Sequence, residues 1–347
     1  MNAASVDLIR VLKSYGLENS EVTTFGAGLI NLTYLVTAEN GGQFLLQKIN
    51  PMFETSILED IDAVTRHIEN KGLMTPHLIP TLDNNLFVEI QDNRWRIYNF
   101  IRGRTFESVN NPAISREAGI ALARFHKALL DLDYEFKHVR YGVHDTQTHM
   151  ANLRTTLENK SDHPHFKYIL PLAEAILNSY AELPVLENIP ARKVHGDPKI
   201  TNILFEENEN CALCLIDFDT LSNMALPLEL GDAFRSWCNP YGEDTEQTDF
   251  SLDLFRAGLE GYATVGNAFL LEKEWRSIVP ATYTIFIELA ARFCADVLNE
   301  SFFSWDKERF NSHSEHNEIR AHGQFNAAKA LKNLYEKAEK HVLEVFA

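Results

Sequence analysis

The segment VHGDPKITNILFEENENCALCLIDFD, residues 194–219, places an ordered set of polar side chains between short apolar runs. Asp197 is followed by Lys199, by Asn202 and, twenty residues after Asp197, by Asp217. Transfer of a phosphoryl group from Mg·ATP to a hydroxyl needs such a set, because the protein mainly positions the reactants and neutralises the charge of a loose transition state. The spacing therefore predicts a small-molecule kinase.

Each member of the set has a predicted role. Asp197 is expected to accept the proton of the substrate hydroxyl, Asn202 and Asp217 to hold Mg²⁺, and Lys199 to reach the transferring phosphate as a point charge. Magnesium prefers oxygen ligands in near-octahedral geometry and keeps several waters, so one carboxylate, one amide oxygen and the phosphates suffice as its partners. ATP and Mg²⁺ are the cofactors that follow from this set.

The apolar runs on either side of a polar turn predict a hairpin. Residues 203–205 and 213–216 have the composition of short buried strands, and residues 206–210 are polar. Such a hairpin carries Asn202 and Asp217 at neighbouring strand ends, where both can bind one ion. The alternative interpretation is an ordinary surface hairpin with acidic ends.

Composition limits the classes of function. The chain has 347 residues, of which 45% are hydrophobic, so it can bury a large core and form two domains. A formal net charge of −17 opposes binding to nucleic acid or to an anionic membrane. The N-terminal residues do not have the pattern of a signal peptide, and apolar runs stay shorter than about eighteen residues. We expect a cytoplasmic protein, either a monomer or a homodimer, with a small-molecule substrate.

The chain divides into a strand-rich and a helix-rich part. The pattern predicts a short first helix, a three-strand meander, a second helix and a hairpin up to residue 100, then a hinge and a long helix. The predicted domains are a nucleotide-binding lobe over 1–100 and a catalytic and substrate-binding lobe over 101–347. The predicted elements are a helix over 6–15, strands within 22–37 and 43–49, a helix over 57–69, a hairpin over 86–100, a hinge over 101–104 and a helix over 114–132.

This layout resembles the aminoglycoside phosphotransferase and choline kinase superfamily over nearly the whole chain. The most specific likeness is His195-Gly196-Asp197 together with Asn202 and Asp217. The resemblance implies an α+β, protein-kinase-like two-lobe fold, with a small antiparallel β-sheet in the N-terminal lobe and a larger, mainly helical C-terminal lobe.

The resemblance also implies roles for individual residues. It implies that Asp197 is the catalytic base, that Asn202 and Asp217 bind the metal, and that His195 packs against the loop and supports it. The tripeptide 230–232, Leu-Gly-Asp, is similar to a later element of the family whose aspartate braces the catalytic loop. Asp232 is therefore expected to be a structural residue.

Within the superfamily, the chain is most similar to bacterial N-acetylhexosamine 1-kinases, through residues 25–36, 216–220 and 291–296. This likeness implies phosphorylation of the anomeric hydroxyl of an N-acetylhexosamine. Arg292 and Asp296 are four residues apart on a helix predicted over 274–299, so both can face one side and bind sugar hydroxyls or the acetamido group. The alternative for these two is an ion pair on a solvated face.

The expected nucleotide contacts lie in the first hundred residues. Gly26 and Gly28 form a glycine turn with only two glycines, a weak signal by itself, yet backbone N–H groups from Gly28 to Asn31 could cover the phosphates. Tyr98 and Phe100, at the end of the last strand before the hinge, are also assigned to nucleotide binding.

A departure from the kinase pattern concerns the phosphate-binding lysine of the third strand. When residues 43–48 are matched to the third strand of the family, Gln47 falls at this position. Lys48, the next residue, points to the opposite face of the strand. Either Lys48 is in the phosphate-binding register or the protein uses the neutral Gln47. The usual ion-pair partner of the lysine would be Glu59 or Asp60.

The sequence also allows other acceptors and a protein without catalytic activity. Aminoglycoside and choline acceptors are cationic and need clustered carboxylates, which the acidic segment 243–249 could supply unless it is a solvated loop. A homoserine acceptor is a further alternative. A nucleotide-binding pseudokinase is favoured by the missing lysine and opposed by the intact set around Asp197. His313, His316 and His322 are predicted to lie in a surface loop.

Overall fold

A computed structural model of the chain describes residues 3–26, 31–51, 53–138, 143–184, 186 and 188–347. The chain separates into two compact units. The first unit comprises Met1–Arg102 and Asp131–Val139, and the second comprises Gly103–Leu130 and Arg140–Ala347. The predicted α+β fold, with a small antiparallel sheet near the N-terminus and a larger helical part, is confirmed.

The first unit is built on an antiparallel sheet of order β1-β2-β3-β6-β4, with β5 paired to β6. Its register aligns Gln47 with Thr33 on one side and with Arg96 on the other. The elements are α1 (Ala3–Ser14), β1 (Glu21–Thr24), β2 (Leu32–Thr37), β3 (Gln43–Lys48), α2 (Ser56–Asn70), β4 (Leu78–Ile79), β5 (Val88–Ile90) and β6 (Asn93–Asn99).

One face of this sheet forms an apolar core with the C-terminal half of α1. Val11 and Leu12 of α1 pack there with Leu46 of β3 and with Trp95 and Ile97 of β6. Because successive side chains of a strand point to opposite faces, Gln47 and Arg96 lie on the other face of the sheet.

A segment after the helix Pro112–Leu129 (α3) returns to the first unit and is held there by Asp60. This carboxylate is completely buried on α2. It accepts hydrogen bonds from the Tyr134 hydroxyl at 2.9 Å and from the backbone N–H groups of Lys137 and His138, both at 2.8 Å. The neighbouring Glu59 pairs with the Lys137 ammonium group. Both expected partners of Lys48 are thus engaged with the returning segment.

The second unit is mainly helical and carries two short hairpin-like sheets, β7 with β10 and β8 with β9. Its elements are α3 (Pro112–Leu129), α4 (Thr146–Asn159), α5 (Phe166–Tyr180), β7 (Ala191–Val194), a 3₁₀ turn (Ile200–Asn202), β8 (Ile203–Phe205), β9 (Ala212–Leu215), β10 (Ser222–Ala225), α6 (Leu226–Trp237), α7 (Leu252–Gly266), α8 (Glu272–Trp275), α9 (Ile278–Asn299) and α10 (His313–Phe346).

Helix α9 is the centre of the second unit. It contacts α4, α5, α6 and α10, and nearly all of its residues are buried. The helix is long and apolar enough to cross a membrane, yet 83% of its most apolar window is buried inside the fold, as in a core helix. The prediction of a single helix over 274–299 is wrong. The segment forms two helices, because α8 ends at Trp275 and α9 begins at Ile278.

The predicted surface loop around His316 is wrong. His313, His316 and His322 all lie on α10, and His316 is completely buried with its ring stacked on Phe310. An apolar ring contact compensates the burial of the imidazole body, which a sequence pattern rich in charged residues does not indicate.

Candidate active site

The β8–β9 hairpin brings Asn202 and Asp217 to the same end of two paired strands. Ile203 is aligned with Leu215 in the antiparallel register, and the Ile216 N–H donates to the Asn202 carbonyl at 2.9 Å. Asp217 follows directly, with a left-handed φ of +68° that turns the chain out of the strand. The hairpin prediction is confirmed, and the two residues lie where one ion could bind both.

Asp197 is oriented by two neighbours from its own loop. Its Oδ2 atom accepts hydrogen bonds from the Lys199 ammonium group at 2.8 Å and from the Asn202 amide nitrogen at 3.0 Å. Burial by itself would raise the pKa of Asp197, but the charge and hydrogen bond of Lys199 outweigh it and hold the pKa below its ordinary value. The carboxylate is therefore ionised at neutral pH and able to accept a proton.

Lys199 keeps its positive charge in this position. Burial favours the neutral amine, but the charges of Asp197 and Asp217 outweigh it, so the pKa of Lys199 lies above its ordinary value. The ammonium group is thus close to both carboxylates of the predicted set. A charge so placed can neutralise a phosphoryl group that approaches Asp197.

His195 connects the loop of Asp197 with the strand end of Asp217. The ring is completely buried. Its Nε2 atom lies 2.9 Å from the Ile216 carbonyl oxygen and therefore carries the proton, while Nδ1 accepts the Asp197 N–H at 3.3 Å. These two contacts tie the ring to both segments, as the predicted supporting role requires.

Glu229 of α6 holds the backbone of the loop, and the sequence interpretation missed it. The side chain is completely buried, and its two oxygens accept the N–H groups of His195 and Gly196, each at 2.9 Å. Burial would raise the pKa of Glu229, but the hydrogen bond and charge of His126 outweigh it and lower the pKa. One sequence feature could have indicated Glu229: it lies three residues before Asp232, so both side chains face the same side of the helix.

Asp232, the residue expected to brace the loop, pairs instead with Arg235. The Arg235 Nε atom donates to Asp232 at 2.8 Å, and another guanidinium nitrogen donates to Glu243 at 2.8 Å. Burial opposes the charge of Arg235, but Asp232, Glu243 and the nearby Asp197 raise its pKa. The backbone N–H groups of the loop donate to Glu229. Glu229 therefore gives the loop backbone the support that was expected from Asp232.

Asp296 is placed as an anchor for the chain that follows α9. It is buried, and its carboxylate accepts the backbone N–H groups of Ser301 and Phe302 at 3.0 Å and of Phe303 at 2.8 Å. Asn317 of α10 donates to the same carboxylate. This position differs from the predicted contact with substrate, because both oxygens are occupied by the protein itself.

Arg292 lies one turn before Asp296 on α9 and is one-fifth exposed. Its guanidinium carbon is 5.5 Å from the ring centres of both Phe302 and Phe303, and one of its nitrogens lies 3.9 Å from the Glu288 carboxylate. The ion pair with Asp296, which was the alternative to sugar binding, is absent among the described contacts. Arg292 combines a fixed cation with aromatic surface.

Glu288 and His144 form a buried ion pair beside Arg292 that the sequence interpretation also missed. The His144 Nδ1 atom is 3.0 Å from Glu288 Oε1, and the Thr146 hydroxyl donates to Oε2 at 2.7 Å. His144 adopts a left-handed φ of +52°, which brings its ring to α9. These contacts fix the Glu288 carboxylate on the Arg292 side of the helix.

The pair predicts a pH-dependent stability. Burial would lower the pKa of His144, but Glu288 outweighs it and raises the pKa above the ordinary 6.5. Burial would raise the pKa of Glu288, but His144 outweighs it and lowers the pKa below the ordinary 4.5. The stabilisation by His144 is complete below pH 6.5 and is lost as the pH rises through the raised pKa; that by Glu288 is lost as the pH falls through the lowered one.

We expect the free energy of unfolding of the wild type to exceed that of His144→Gln most between pH 4.5 and 6.5. The difference should narrow as the pH rises through the raised pKa of His144. Urea denaturation at about pH 5.5 and about pH 9 measures it. A difference that is the same at both pH values contradicts the ion pair.

The residues expected at the nucleotide are placed as follows in the first unit. Gly26 has a left-handed φ of +71°, whereas Gly28 lies outside the described residues. The Asn31 side-chain oxygen accepts the Asn50 N–H at 2.9 Å. Phe100 makes an edge-to-face contact with Phe25, with ring centres 5.6 Å apart.

The strand register distinguishes Gln47 from Lys48. The Lys48 ammonium group lies 6.0 Å from the centre of the Trp95 ring, on the face covered by α1. Gln47 lies on the opposite face, together with Tyr98, which is buried there. Of the two candidates for the phosphate-binding position, only Gln47 shares a face with another predicted nucleotide contact.

The donor set fits a magnesium ion that is bound together with phosphates. The Asn202 amide nitrogen donates to Asp197, which leaves the amide oxygen as the possible ligand beside the Asp217 carboxylate. Among the described residues no group of three or more His, Cys, Asp or Glu side chains could form a metal cage. Mg²⁺ needs none, because it is held by one or two protein oxygens, waters and substrate phosphates.

Solved structures of small-molecule kinases have the same fold. Amicoumacin kinase hAmiN, in complex with AMP-PNP, Ca²⁺ and Ami, has a TM-score of 0.62 at 14% identity over 93% of each chain. A microcompartment-associated aminopropanol kinase has a TM-score of 0.63 at 13% identity over 96% of this chain and 98% of its own. Choline kinase from Cryptosporidium parvum Iowa II has a TM-score of 0.59 at 12% identity over 96% and 97%.

The family model described as the phosphotransferase enzyme family (APH) matches residues 21–265, which include the sheet of the first unit and the loop around Asp197. The match confirms the predicted superfamily, and with it the predicted use of ATP with a divalent metal. The chain therefore belongs to the phosphotransferase enzyme family and is an ATP-dependent kinase of small molecules that carry a hydroxyl group.

Proposed function

We propose that the acceptor is an uncharged sugar and that the enzyme phosphorylates the anomeric C1 hydroxyl of an N-acetylhexosamine. The proposal rests first on the ion pairs of Glu243 and Asp244 in the second unit. The sugar class is further supported by the side chains around Arg292, and the C1 position by the resemblance of residues 25–36, 216–220 and 291–296 to N-acetylhexosamine 1-kinases.

The observation that carries the proposal is that Glu243 and Asp244, the first two carboxylates of the acidic segment, already have cationic partners. Glu243 pairs with Arg235 at 2.8 Å, and Asp244 pairs with Arg320 at 2.6 Å. A cationic acceptor such as choline or an aminoglycoside needs carboxylates whose charge is not already neutralised. The start of the acidic segment 243–249 is thus committed to the fold, which favours a neutral acceptor.

Arg292 offers groups that suit a sugar. A guanidinium can donate hydrogen bonds to hydroxyl and amide oxygens, and an aromatic ring packs against the apolar C–H edge of a pyranose. Phe302, one of the two rings beside Arg292, is 55% exposed, so part of its side chain is accessible to a ligand.

The chemistry follows from the loop geometry. The acceptor hydroxyl oxygen attacks the γ-phosphorus of ATP, the bond from that phosphorus to the bridging oxygen of ADP breaks, and the hydroxyl proton goes to Asp197. Lys199 is placed to neutralise the transferring group, and Asn202 and Asp217 would hold the metal. When bound, Mg²⁺ supplies charge neutralisation for the phosphates. The products are ADP and a sugar 1-phosphate.

A panel of acceptors tests the proposal. Purified protein is incubated with Mg·ATP and, separately, with GlcNAc, GalNAc, choline, homoserine and an aminoglycoside, and the products are identified by ³¹P NMR. We expect an anomeric phosphate doublet with a hexosamine. The methyl glycoside of the same sugar is the matched control, since its C1 oxygen is blocked and it should give no product.

Phosphorylation of choline, homoserine or the aminoglycoside without any hexosamine product contradicts the sugar proposal but leaves the kinase assignment intact. Phosphorylation of the methyl glycoside contradicts the C1 position alone. ATP binding without turnover on any acceptor of the panel also contradicts the proposal and favours the pseudokinase alternative.

A further inference from the structure

We propose that Arg96 of β6 supplies the positive charge for the phosphates of the bound nucleotide, in place of a lysine on β3. Protein kinases place this charge on a lysine of the third strand. Here the third strand has the neutral Gln47 at that position, and Lys48 lies on the face packed against α1. The proposal rests on the ATP-dependent activity of the family and is independent of the acceptor.

The strand register puts Arg96 beside the position that lacks the lysine. Gln47 and Arg96 are direct partners of the antiparallel pair β3–β6, so their side chains are neighbours on one face. The Arg96 Nε atom donates to Gln47 Oε1 at 3.1 Å. A cation on the neighbouring strand therefore reaches nearly the same point of the sheet as a lysine on β3.

Gln47 is oriented to hold this arginine. Its amide nitrogen donates to the Thr33 hydroxyl at 3.2 Å, which leaves the amide oxygen to face Arg96. Thr33, Gln47 and Arg96 thus form a row across β2, β3 and β6. Gln47 then acts as a positioning residue, whose side chain fixes the guanidinium instead of binding phosphate itself.

The environment of Arg96 suits a preorganised phosphate ligand. The guanidinium carbon lies 5.1 Å from the centre of the Tyr98 ring, and only 1% of the residue is exposed. Arginine stays charged in such a place, and its planar fork of N–H groups matches two oxygens of a phosphate.

The experiment moves the positive charge from Arg96 on β6 to position 47, its partner on β3. The variants are Arg96→Gln, which removes the charge, and the double variant Gln47→Lys with Arg96→Gln, which returns it on β3. Dissociation constants for Mg·ATP and for adenosine are measured by calorimetry, because only ATP has the phosphates. Arg66→Gln on α2, where the side chain is 61% exposed, is the control for losing one positive charge from the first unit.

We expect Arg96→Gln to weaken Mg·ATP binding by about 10- to 100-fold while adenosine binding stays unchanged, since a hydrogen bond to a charged group is lost. The double variant should regain ATP affinity to within about tenfold of the wild type, because a lysine binds phosphate as a point charge without the fork of an arginine. Arg66→Gln should leave both constants unchanged.

An equal loss for ATP and adenosine in Arg96→Gln indicates a structural role and overturns the proposal. It is also overturned if Arg96→Gln binds ATP normally, if the double variant folds but regains no ATP affinity, or if Lys48→Gln alone shows the ATP-specific loss. Should Arg96→Gln not fold, Arg96→Lys keeps the test: the proposal requires it to retain most of the preference for ATP over adenosine.

Discussion

Asp197→Asn should still bind Mg·ATP but lose turnover by about 10²- to 10⁴-fold or more. The amide cannot accept the hydroxyl proton, and general-base catalysis contributes this much in enzymes. The change also removes the ionic partner of Lys199, so the orientation of the loop suffers in addition. Steady-state turnover, measured by ADP release, and ATP affinity, measured by calorimetry, separate the two effects.

Asp253→Asn is the matched control for this substitution, because Asp253 lies exposed in the first turn of α7 in the same unit. Its turnover should equal that of the wild type. Unchanged turnover in Asp197→Asn would exclude Asp197 as the base. Loss of ATP binding together with turnover would show that the residue acts through the nucleotide site instead.

Gly196→Ala should destabilise the protein far more than Gly41→Ala, although both glycines have a φ of +84°. An added Cβ at Gly196 would lie 2.0 Å from the carbonyl oxygen of Thr220, whereas no described atom lies within 4 Å of one at Gly41. The left-handed conformation costs alanine about 1–2 kcal/mol at both positions. Relieving a clash with backbone should cost about 3 kcal/mol more at Gly196.

The free energy of unfolding in urea, measured for both variants, isolates the steric effect, since the backbone strain is common to them. Gly196→Ala should also lose most of its turnover, because the Gly196 N–H that donates to Glu229 must move with the loop. Equal destabilisation by the two substitutions would mean that the chain around Thr220 gives way easily, contrary to the packing described above.

The grouping of Asp197, Asn202 and Asp217 could be predicted from the sequence because these residues are close along the chain. Asp197 and Asn202 share one loop, and a short hairpin brings Asp217 to them, so spacing and strand patterns suffice. The position of His195 followed from the same motif. Sequence spacing indicates which nearby residues meet, and Asp197, Asn202 and Asp217 all lie within one loop and the hairpin that follows it.

The partners that hold the set could not be predicted in this way. His144 and Glu288 are 144 residues apart, and Glu229 lies 34 residues from His195. Periodicity does not show which distant elements meet. Asp296 was misjudged for a related reason, since the backbone N–H groups of residues 301–303 that bind it come from a turn that no spacing rule indicates.

Strand alternation correctly placed Gln47 and Lys48 on opposite faces but could not say which face the first helix covers. That answer requires the packing of α1 against Trp95. It also requires the pairing of β3 with β6, which puts Arg96 next to Gln47 although the two are 49 residues apart in sequence. Cross-strand neighbours are visible only once the register is known.

The buried Asp60 has a consequence for the order in which a nascent chain can fold. Its three hydrogen-bond donors belong to residues 134–138, which the ribosome adds only after the whole of α3, a helix of the other unit. Until those residues emerge, the carboxylate has no such partners, and a buried charge without partners is strongly destabilising. The first unit therefore lacks these contacts while only its N-terminal part has been made, and its completion during translation waits for a segment encoded beyond the start of its neighbour.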